Sequence, residues 1–296
     1  MEHSTIRQSR YSEVTSRIIA ELEQGRLPWV QPWDTSLCGC TMPHNAATDR
    51  RYSGINVLIL WAEVVCKGYG SQRWLTYRQA QAAGGNVRKG EKGTTVCYAD
   101  RFTPKAEAEQ ARGKDREART VAFLKRFTVF NVDQCEGLPD DMIAAPVATD
   151  PVLAVAEADA IIKKSGARFN IGGDAAFYSP AHDFVQVPPQ AAYHEPVNWY
   201  RTALHELGHW TGHPSRLDRD QKGSFGSQPY AREELVAEMA AAFTCASLGI
   251  APTVRHSDYI ASWLSVLRDD EKAIFRAASA ASKAADYLLA FTEDAA

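Results

Sequence analysis

His205-Glu206-Leu207-Gly208-His209 is the chemically densest stretch of this 296-residue chain. The pattern is H-E-x-x-H. On a helix, residues i and i+4 lie on one face about a turn apart, so two imidazoles there can hold one zinc ion. A Glu directly after the first His points toward the open side of such a site, where it can take a proton from water. The competing reading is a surface helix with two solvated histidines. The surroundings favour a site. Residues 196–212 read as a helix, with Pro196 in the first turn and Trp199, Ala203, Leu204 and Leu207 at helical spacing. Gly208 keeps that helix slim, and Gly212 and Pro214 stop it.

A catalytic zinc commonly has three protein ligands and one open position. The arrangement H-E-x-x-H-x-x-G-x-x-H is incomplete here, because Gly212 matches but position 215 is Ser. His213 is near in sequence but sits beside the helix stop. Segment 231–243, Ala-rich with Leu, Met and Glu, is a strong helix former. Glu234 and Glu238 are four apart on it and share a face with the small Ala241 and Ala242. Acids on a tightly packing face are costly to bury unless paired or metal-bound, so either Glu is a candidate ligand. Residues 176–188 read as two short strands around Ser179-Pro180, and Pro188-Pro189 suggest an edge strand.

This set resembles the zincin metallopeptidases of the Glu-ligand type. The resemblance implies that Glu234 is the third ligand and that Glu238 orients a ligand His. It also implies an edge strand that binds substrate backbone by strand addition. A His/His/Glu site with a Glu base suits peptide hydrolysis better than two-metal phosphodiester chemistry.

Length suggests two domains, and 45% hydrophobic with 23% charged residues is ordinary for globular protein. The N-terminus lacks an apolar signal-type stretch, and no run approaches the ~20 apolar residues of a membrane helix. No membrane partner and no nucleotide cofactor are expected. Six scattered cysteines, with Cys38 and Cys40 lacking C-x-x-C spacing, read as reduced thiols of a cytoplasmic protein. Charge is asymmetric. Residues 1–140 carry 20 Lys and Arg against 16 Asp and Glu, a net +4, while 141–296 carry 13 against 20, a net −7. Gly137, Pro139 and Pro146 punctuate a boundary near 136–150. The expected fold class is α+β, with an α+β domain over 1–140 and a mostly helical zincin-like domain with a small sheet over 150–296.

Before the boundary, 11–24 reads as an amphipathic helix and a second runs from about Ile55 to Val65, ended by Gly68. Thr76 with Gln79 forms a capping-box pattern. Strands follow at 94–98 and 123–131, separated by a charged insertion at 105–120 that reads as flexible. After the boundary, Asp150-Pro151 starts a helix to about Lys164, and two more helices fall at 258–267 and 271–291.

Trp29, Trp33, Trp61 and Trp74 lie in the first half, interleaved with Arg50, Arg51-Tyr52, Arg73 and Arg88-Lys89. Rings stack on unpaired bases for about 1–3 kcal/mol each, and cations track phosphates. Trp29, Trp33, Arg51, Tyr52, Arg73, Trp74, Arg88, Lys89 and Lys92 are therefore the candidate contacts to single-stranded DNA. The competing reading makes the Trp residues core.

Across nearly its whole length the chain resembles the ArdC-type antirestriction proteins of conjugative plasmids and their relatives fused to plasmid primases. The resemblance rests on Pro28-Trp29 to Pro32-Trp33, Tyr52-Ser53-Gly54-Ile55-Asn56, Gly68-Tyr69, Trp74-Leu75-Thr76, 87–93, 130–135 and the two C-terminal segments already quoted. It implies a single-stranded DNA-binding domain joined to a zinc site of His205, His209 and Glu234 with Glu206 as base. It also implies protection of incoming plasmid DNA from host restriction, with any protein substrate unidentified. The alternative function is a DNA-binding module whose metal site is structural or vestigial.

Overall fold

The computed structural model describes residues 10–30, 41–102, 121–144, 150–224, 226–252 and 259–292. The expectations for Trp33, for Cys38 and Cys40, and for the 105–120 insertion lie outside them.

Helix α1 (Arg10–Glu23) buries Ile18 and Leu22 from its apolar stripe. Helix α2 (Ile55–Lys67), INVLILWAEVVCK, is too apolar for a surface helix and is buried along most of its length. It ends where Gly68 turns left-handed at φ 65°. Strands β1 (His44–Asn45), β2 (Arg73–Leu75), β4 (Thr94–Phe102) and β5 (Val121–Asn131) form one sheet in the order β1-β2-β5-β4. Between them α3 (Tyr77–Ala82) opens on the expected capping box. Thr76 N donates to Gln79 Oε1 at 2.8 Å, and Gln79 N donates to Thr76 Oγ1 at 3.3 Å. Strands β3 (Asn86–Val87) and β6 (Cys135–Glu136) pair beside it, and a single helical turn, α4 (Asp140–Ile143), follows.

Helix α5 (Pro151–Lys164) starts on an Asp150 cap that accepts from Val152 N at 2.8 Å, with Pro151 in the first turn. Strands β7 (Arg168–Ile171), β8 (Phe177–Ser179) and β9 (Phe184–Val187) pair in the order β7-β9-β8. The strand before Pro188 is therefore central, which corrects the edge-strand expectation. Both prolines fall after β9 has ended, so neither takes a donor from the ladder. The strand on its other side, β7, was not anticipated. It is four residues long and pairs in parallel with β9 from 16 positions away, so no local pattern announces it. Helices α6 (Pro196–Trp210), α7 (Gln228–Ser247), α8 (Ile260–Asp269) and α9 (Ala273–Leu289) complete the chain.

The principal apolar core crosses the compositional boundary. Ile18 and Leu22 of α1, Trp29, and Val57 and Trp61 of α2 pack in one cluster with α7, α8 and α9. Trp29 meets Trp263 edge-on with centroids 5.3 Å apart, and Trp61 meets Phe243 at 5.7 Å. Polar bonds seal the seam. Thr15 Oγ1 donates to the Glu271 carbonyl at 2.6 Å, and Gly54 N donates to Ser282 Oγ at 2.7 Å. Helix α7 is buried around most of its circumference because it packs against α6, α8 and α9. A second cluster joins α5, the three-stranded sheet and the inner face of α6. No helix among the described residues is long and apolar enough to cross a membrane.

Because the core is shared, Trp61→Ala should cost about 3–5 kcal/mol and weaken both halves together. Urea unfolding followed by near-UV circular dichroism should give one transition, moved to lower urea. Two transitions, of which only one moves, would contradict the shared core.

Candidate metal centre

Two helices build the site. Helix α6 brings His205, Glu206 and His209, and α7 brings Glu233, Glu234 and Glu238, all of them buried. The helices approach closely at Gly208, where a Cβ would stand 3.3 Å from the Ala237 carbonyl oxygen. A larger residue would force them apart and with them the ligands.

Ligand atoms of His205, His209 and Glu234 all lie within 4.8 Å of one another. His205 Nε2 is 3.6 Å from Glu234 Oε2, and His209 Nε2 is 3.4 Å from Glu234 Oε1. Two ligands each ~2.0–2.1 Å from a tetrahedral ion stand about 3.4 Å apart, so this donor set fits a divalent cation. Glu238 stands elsewhere, with Oε1 3.9 Å from His205 Nδ1. His213 is turned away, its Nδ1 2.8 Å from Ser215 Oγ.

The other nitrogen of His209 is held by a residue that sequence reasoning missed. Its Nδ1 lies 3.3 Å from Glu233 Oε1. Glu233 also accepts from Arg219, at 2.7 Å from Nη2 and 3.1 Å from Nε, and from Gln221 Nε2 at 3.1 Å. Arg219 is fixed in turn, because Nη2 donates to the Gly208 carbonyl at 2.7 Å and Nη1 to Thr211 Oγ1 at 2.8 Å. The loop after α6 thus folds back and braces the helix it leaves. With Nδ1 committed to Glu233, Nε2 faces Glu234 and the metal position, where its lone pair would be available to a bound ion. Burial would raise the Glu233 carboxyl, but His209 and Arg219 outweigh it and hold it low. Glu234 is likewise held well below the carboxylate range by both histidines, against its burial.

Tyr230 was also missed, although it stands four residues before Glu234 on the same helical face. Its hydroxyl bonds Glu234 and lies 3.2 Å from the Tyr259 hydroxyl. Burial first, then these partners, push the phenol up, so it remains a proton donor.

The C-terminal end of α6 is pinned to the sheet by Arg216. Its Nε donates to the Trp210 carbonyl at 2.6 Å, and Nη2 and Nη1 reach Asp183 at 2.5 and 3.1 Å. Its guanidinium also lies over the Trp210 ring, 3.9 Å from the centroid. Arg216 holds the Asp183 carboxyl below its ordinary value.

Known proteins resemble this chain over both of its halves. Residues 156–280 match the family model of a zincin-like metallopeptidase, and residues 8–130 match that of the N-terminal domain of anti-restriction factor ArdC. The metal-free crystal structure of the antirestriction ArdC protein from plasmid R388 is 41% identical, with a TM-score of 0.80, covering 96% of this chain and 98% of that one. The chain belongs to the ArdC family of antirestriction proteins. The Mn(II)-bound structure of the R388 ArdC protein is 39% identical with a TM-score of 0.79, covering 98% of this chain and all of the other. A DNA primase TraC of Escherichia coli is 40% identical over 298 residues, which are 96% of this chain but 27% of the primase. This chain therefore spans about a quarter of that relative. Protein y4eC of Sinorhizobium fredii (strain NBRC 101917 / NGR234) is 40% identical over 96% of this chain and 93% of its own.

Within the ArdC N-terminal segment, the candidate DNA contacts separate into two groups. Trp29 and Trp74 are both 0% exposed, so neither ring offers a face to a base, a correction to the stacking expectation. The reason is packing. Trp29 fills the shared core, while Trp74 is enclosed by Leu60, Val64, Val96 and Val129, with Tyr69 edge-on at 5.9 Å. Tyr52 is half-buried against the Trp74 cluster. Arg73 donates to the Asp141 carbonyl, and Arg88 donates to the carbonyls of Cys135 and Asp133, so each braces a loop. Arg51, Lys89 and Lys92 are exposed. Among the described residues of this segment the exposed rings are Tyr98 at 60%, Phe127 at 48% and Tyr77 at 45%, of which the sequence reading passed over the first two. Tyr98 pairs with Lys125 and Val96 with Phe127, so Tyr98, Lys125 and Phe127 share one face of the β4–β5 ladder. The signal lay in alternation: the face that buries Val96 and Val129 carries aromatic residues beyond the point where the core ends.

Two expectations follow. Replacing Glu233 with Gln should weaken divalent-metal binding about 10–100-fold by chelator competition, and unchanged affinity would remove Glu233 from the site. Asp183, with its lowered folded value, contributes stability that is complete above the ordinary carboxylate value of about 3.9 and is lost as pH falls through the folded one. The melting-temperature gap between the parent and Asp183→Asn should therefore be largest at pH 7 and close below about pH 4. A gap that stays constant down to pH 3 would count against this clamp.

Proposed function

We propose that this ArdC-family protein binds single-stranded DNA and carries a divalent-metal peptidase site, in the service of antirestriction. Family membership supports the antirestriction role. The observation that carries the peptidase reading is the convergence of His205, His209 and Glu234 within 4.8 Å beside a buried Glu206. A Mn(II)-bound relative supports a divalent ion, and the His/His/Glu donor set suits zinc. Such an ion, when bound, polarises a peptide carbonyl and lowers the pKa of water toward ~7.

The chain's own residues supply the rest. Glu206, buried between the two histidines of α6, takes a proton from the attacking water and returns it to the leaving amine. Glu233 fixes the His209 imidazole through Nδ1, and Glu238 places a carboxylate 3.9 Å from His205 Nδ1. The protein substrate would lie across the open side of the site, in a cytoplasmic protein.

For DNA, stacking is assigned to Tyr98 and Phe127, with Lys125, Lys89, Lys92 and Arg51 tracking phosphates. Exposed rings that share one sheet face with Lys125 support this choice over the buried Trp residues.

Glu206→Gln should retain stoichiometric zinc while losing hydrolysis of a peptide library by several orders of magnitude. Cleavage at the parental rate would sink the peptidase reading, and intact antirestriction in that variant would make the metal site dispensable for protection. Tyr98→Ala with Phe127→Ala should weaken single-strand binding at least 10-fold at fixed salt, given about 1–3 kcal/mol per stacked base, without altering the metal content. Fluorescence anisotropy with labelled single strands and duplexes gives the answer. Equal affinity for both forms, or no loss on substitution, would exclude this surface.

A further inference from the structure

A recess of about 280 Å3 opens on the seam between the two matched segments. Thr41, His44, Asp49, Arg51 and Arg73 line it from the N-terminal side, and the end of α7 closes it at Ser247. Its walls are fixed by the backbone. β1 pairs His44 with Arg73 of β2, and an isolated bridge sets His44 opposite Arg51. The turn between His44 and Arg51 is held by the Asn45 side chain, whose Oδ1 accepts from Ala47 N and Thr48 N at 3.1 Å. On the other wall the left-handed Gly249 (φ 77°) folds the chain back on α7. Ile250 N then donates to the Cys245 carbonyl at 2.8 Å and Gly249 N to the Ala246 carbonyl at 3.3 Å, so these helix-end oxygens are occupied within their own turn.

What the recess lacks is an acceptor. Arg73 Nη1 donates to the Asp141 carbonyl, but Arg73 Nε is buried with no partner among the described residues, and so is Thr41 Oγ1. A buried donor on a charged group is ordinarily paired, so these two call for an oxygen from outside the chain. Arg51 stands exposed at the rim, where Asp286 of α9 feels its charge. Burial first, and then the charges of Arg73 and Arg51, hold the His44 imidazole below its ordinary value, against the Met42 carbonyl and Asp49. Both guanidinium charges therefore reach the interior. Asp49 is the one acid in the lining, and its side chain is 90% exposed. Two guanidinium groups against one rim carboxylate, with unfilled donors between, suit an anion that accepts several bonds at once, as a phosphate does.

We propose that this recess receives a phosphate group of a bound single strand, so that DNA touches the end of α7 as well as the N-terminal segment. The phosphate oxygens accept from Arg73 Nε–H and Thr41 Oγ1–H inside the recess and from Arg51 at its rim, while Asp49 opposes them. The zincin-like segment is in this way one wall of a DNA subsite. This inference rests on the DNA reading above and adds a contact from the other half of the chain. Inorganic phosphate offers the same oxygens, so strand and free ion are measured separately.

Fluorescence anisotropy of the full chain with a labelled single strand over a range of salt tests the strand, and calorimetry with inorganic phosphate tests the free ion. Arg51→Gln should weaken strand binding and lower the slope of log affinity against log salt by about 0.7, the share of one phosphate contact. Asp49→Asn removes the opposing charge with a residue that tolerates the left-handed backbone there, and should tighten binding about 5-fold. Ser247→Glu and Ser247→Gln add nearly equal volume to the α7 wall and differ in charge. The Glu variant should bind the strand about 5-fold more weakly than the Gln variant, although position 247 lies outside the ArdC N-terminal segment. Equal affinity in the two Ser247 variants overturns the proposal, as does an Asp49→Asn protein that binds no better than the parent. If the Ser247 variants do not fold, Asp49→Asn and the salt slope of Arg51→Gln decide alone, and no change in either is decisive against it. Phosphate binding that responds to Ser247→Glu while strand binding does not would leave a free-ion site and overturn the strand assignment. A parent that binds no single strand sinks the DNA reading itself, a result distinct from a parent that binds and variants that bind equally well.

Discussion

Glu233, Glu234 and Glu238 are buried on two adjacent turns of α7, facing His205 and His209 on α6. An uncompensated carboxylate in such a place costs several kcal/mol, so each needs a partner of matching geometry. Glu234 has both histidines, Glu233 has His209 with Arg219 and Gln221, and Glu238 has the far side of His205. Much of the surrounding structure serves this arrangement. Gly208 lets the helices meet, Arg219 turns the following loop back onto α6, and Arg216 ties the end of α6 to the sheet. Removing any one partner leaves a charge without an answer, so the site can hold its shape only if the loop from Thr211 to Gln221 holds its own.

The second constraint is volume. Four large aromatic side chains form two edge-on pairs in the shared core, Trp29 with Trp263 and Trp61 with Phe243. They come from both sides of the compositional boundary. A difference in charge sign between the halves therefore marks two surfaces and not two independent cores. The N-terminal sheet extends this core outward until its face reaches solvent at Phe127 and Tyr98.

Local chemistry was legible in the sequence wherever its cause was local. The capping box at Thr76, the Asp150-Pro151 helix start, the Gly68 stop and the histidine pair on α6 are set by residues within a turn of one another. What escaped was decided by distant packing. β7 forms only because β9 is there to pair with it, which also makes β9 central. Trp29 and Trp74 could not be told from surface rings because their covering residues lie far away in sequence, Trp263 in one case and Val96 and Val129 in the other. The bracing of His209 by Glu233 depends on Arg219, 14 residues upstream in an irregular loop. Its one sequence signal was a third acid beside Glu234 that no surface role required.

The shared core also bears on how this chain is inherited. A stretch of the TraC primase about as long as this chain, and 93% of y4eC, align across both matched segments together. A break between Ala144 and Asp150 would strip α1 and α2 from α7, α8 and α9 and lay bare a broad oily surface on each fragment. Either fragment alone would be prone to clump. Recombination that shuffles such genes therefore has a physical reason to move the pair intact, and the seam at which new partners can be attached lies outside it.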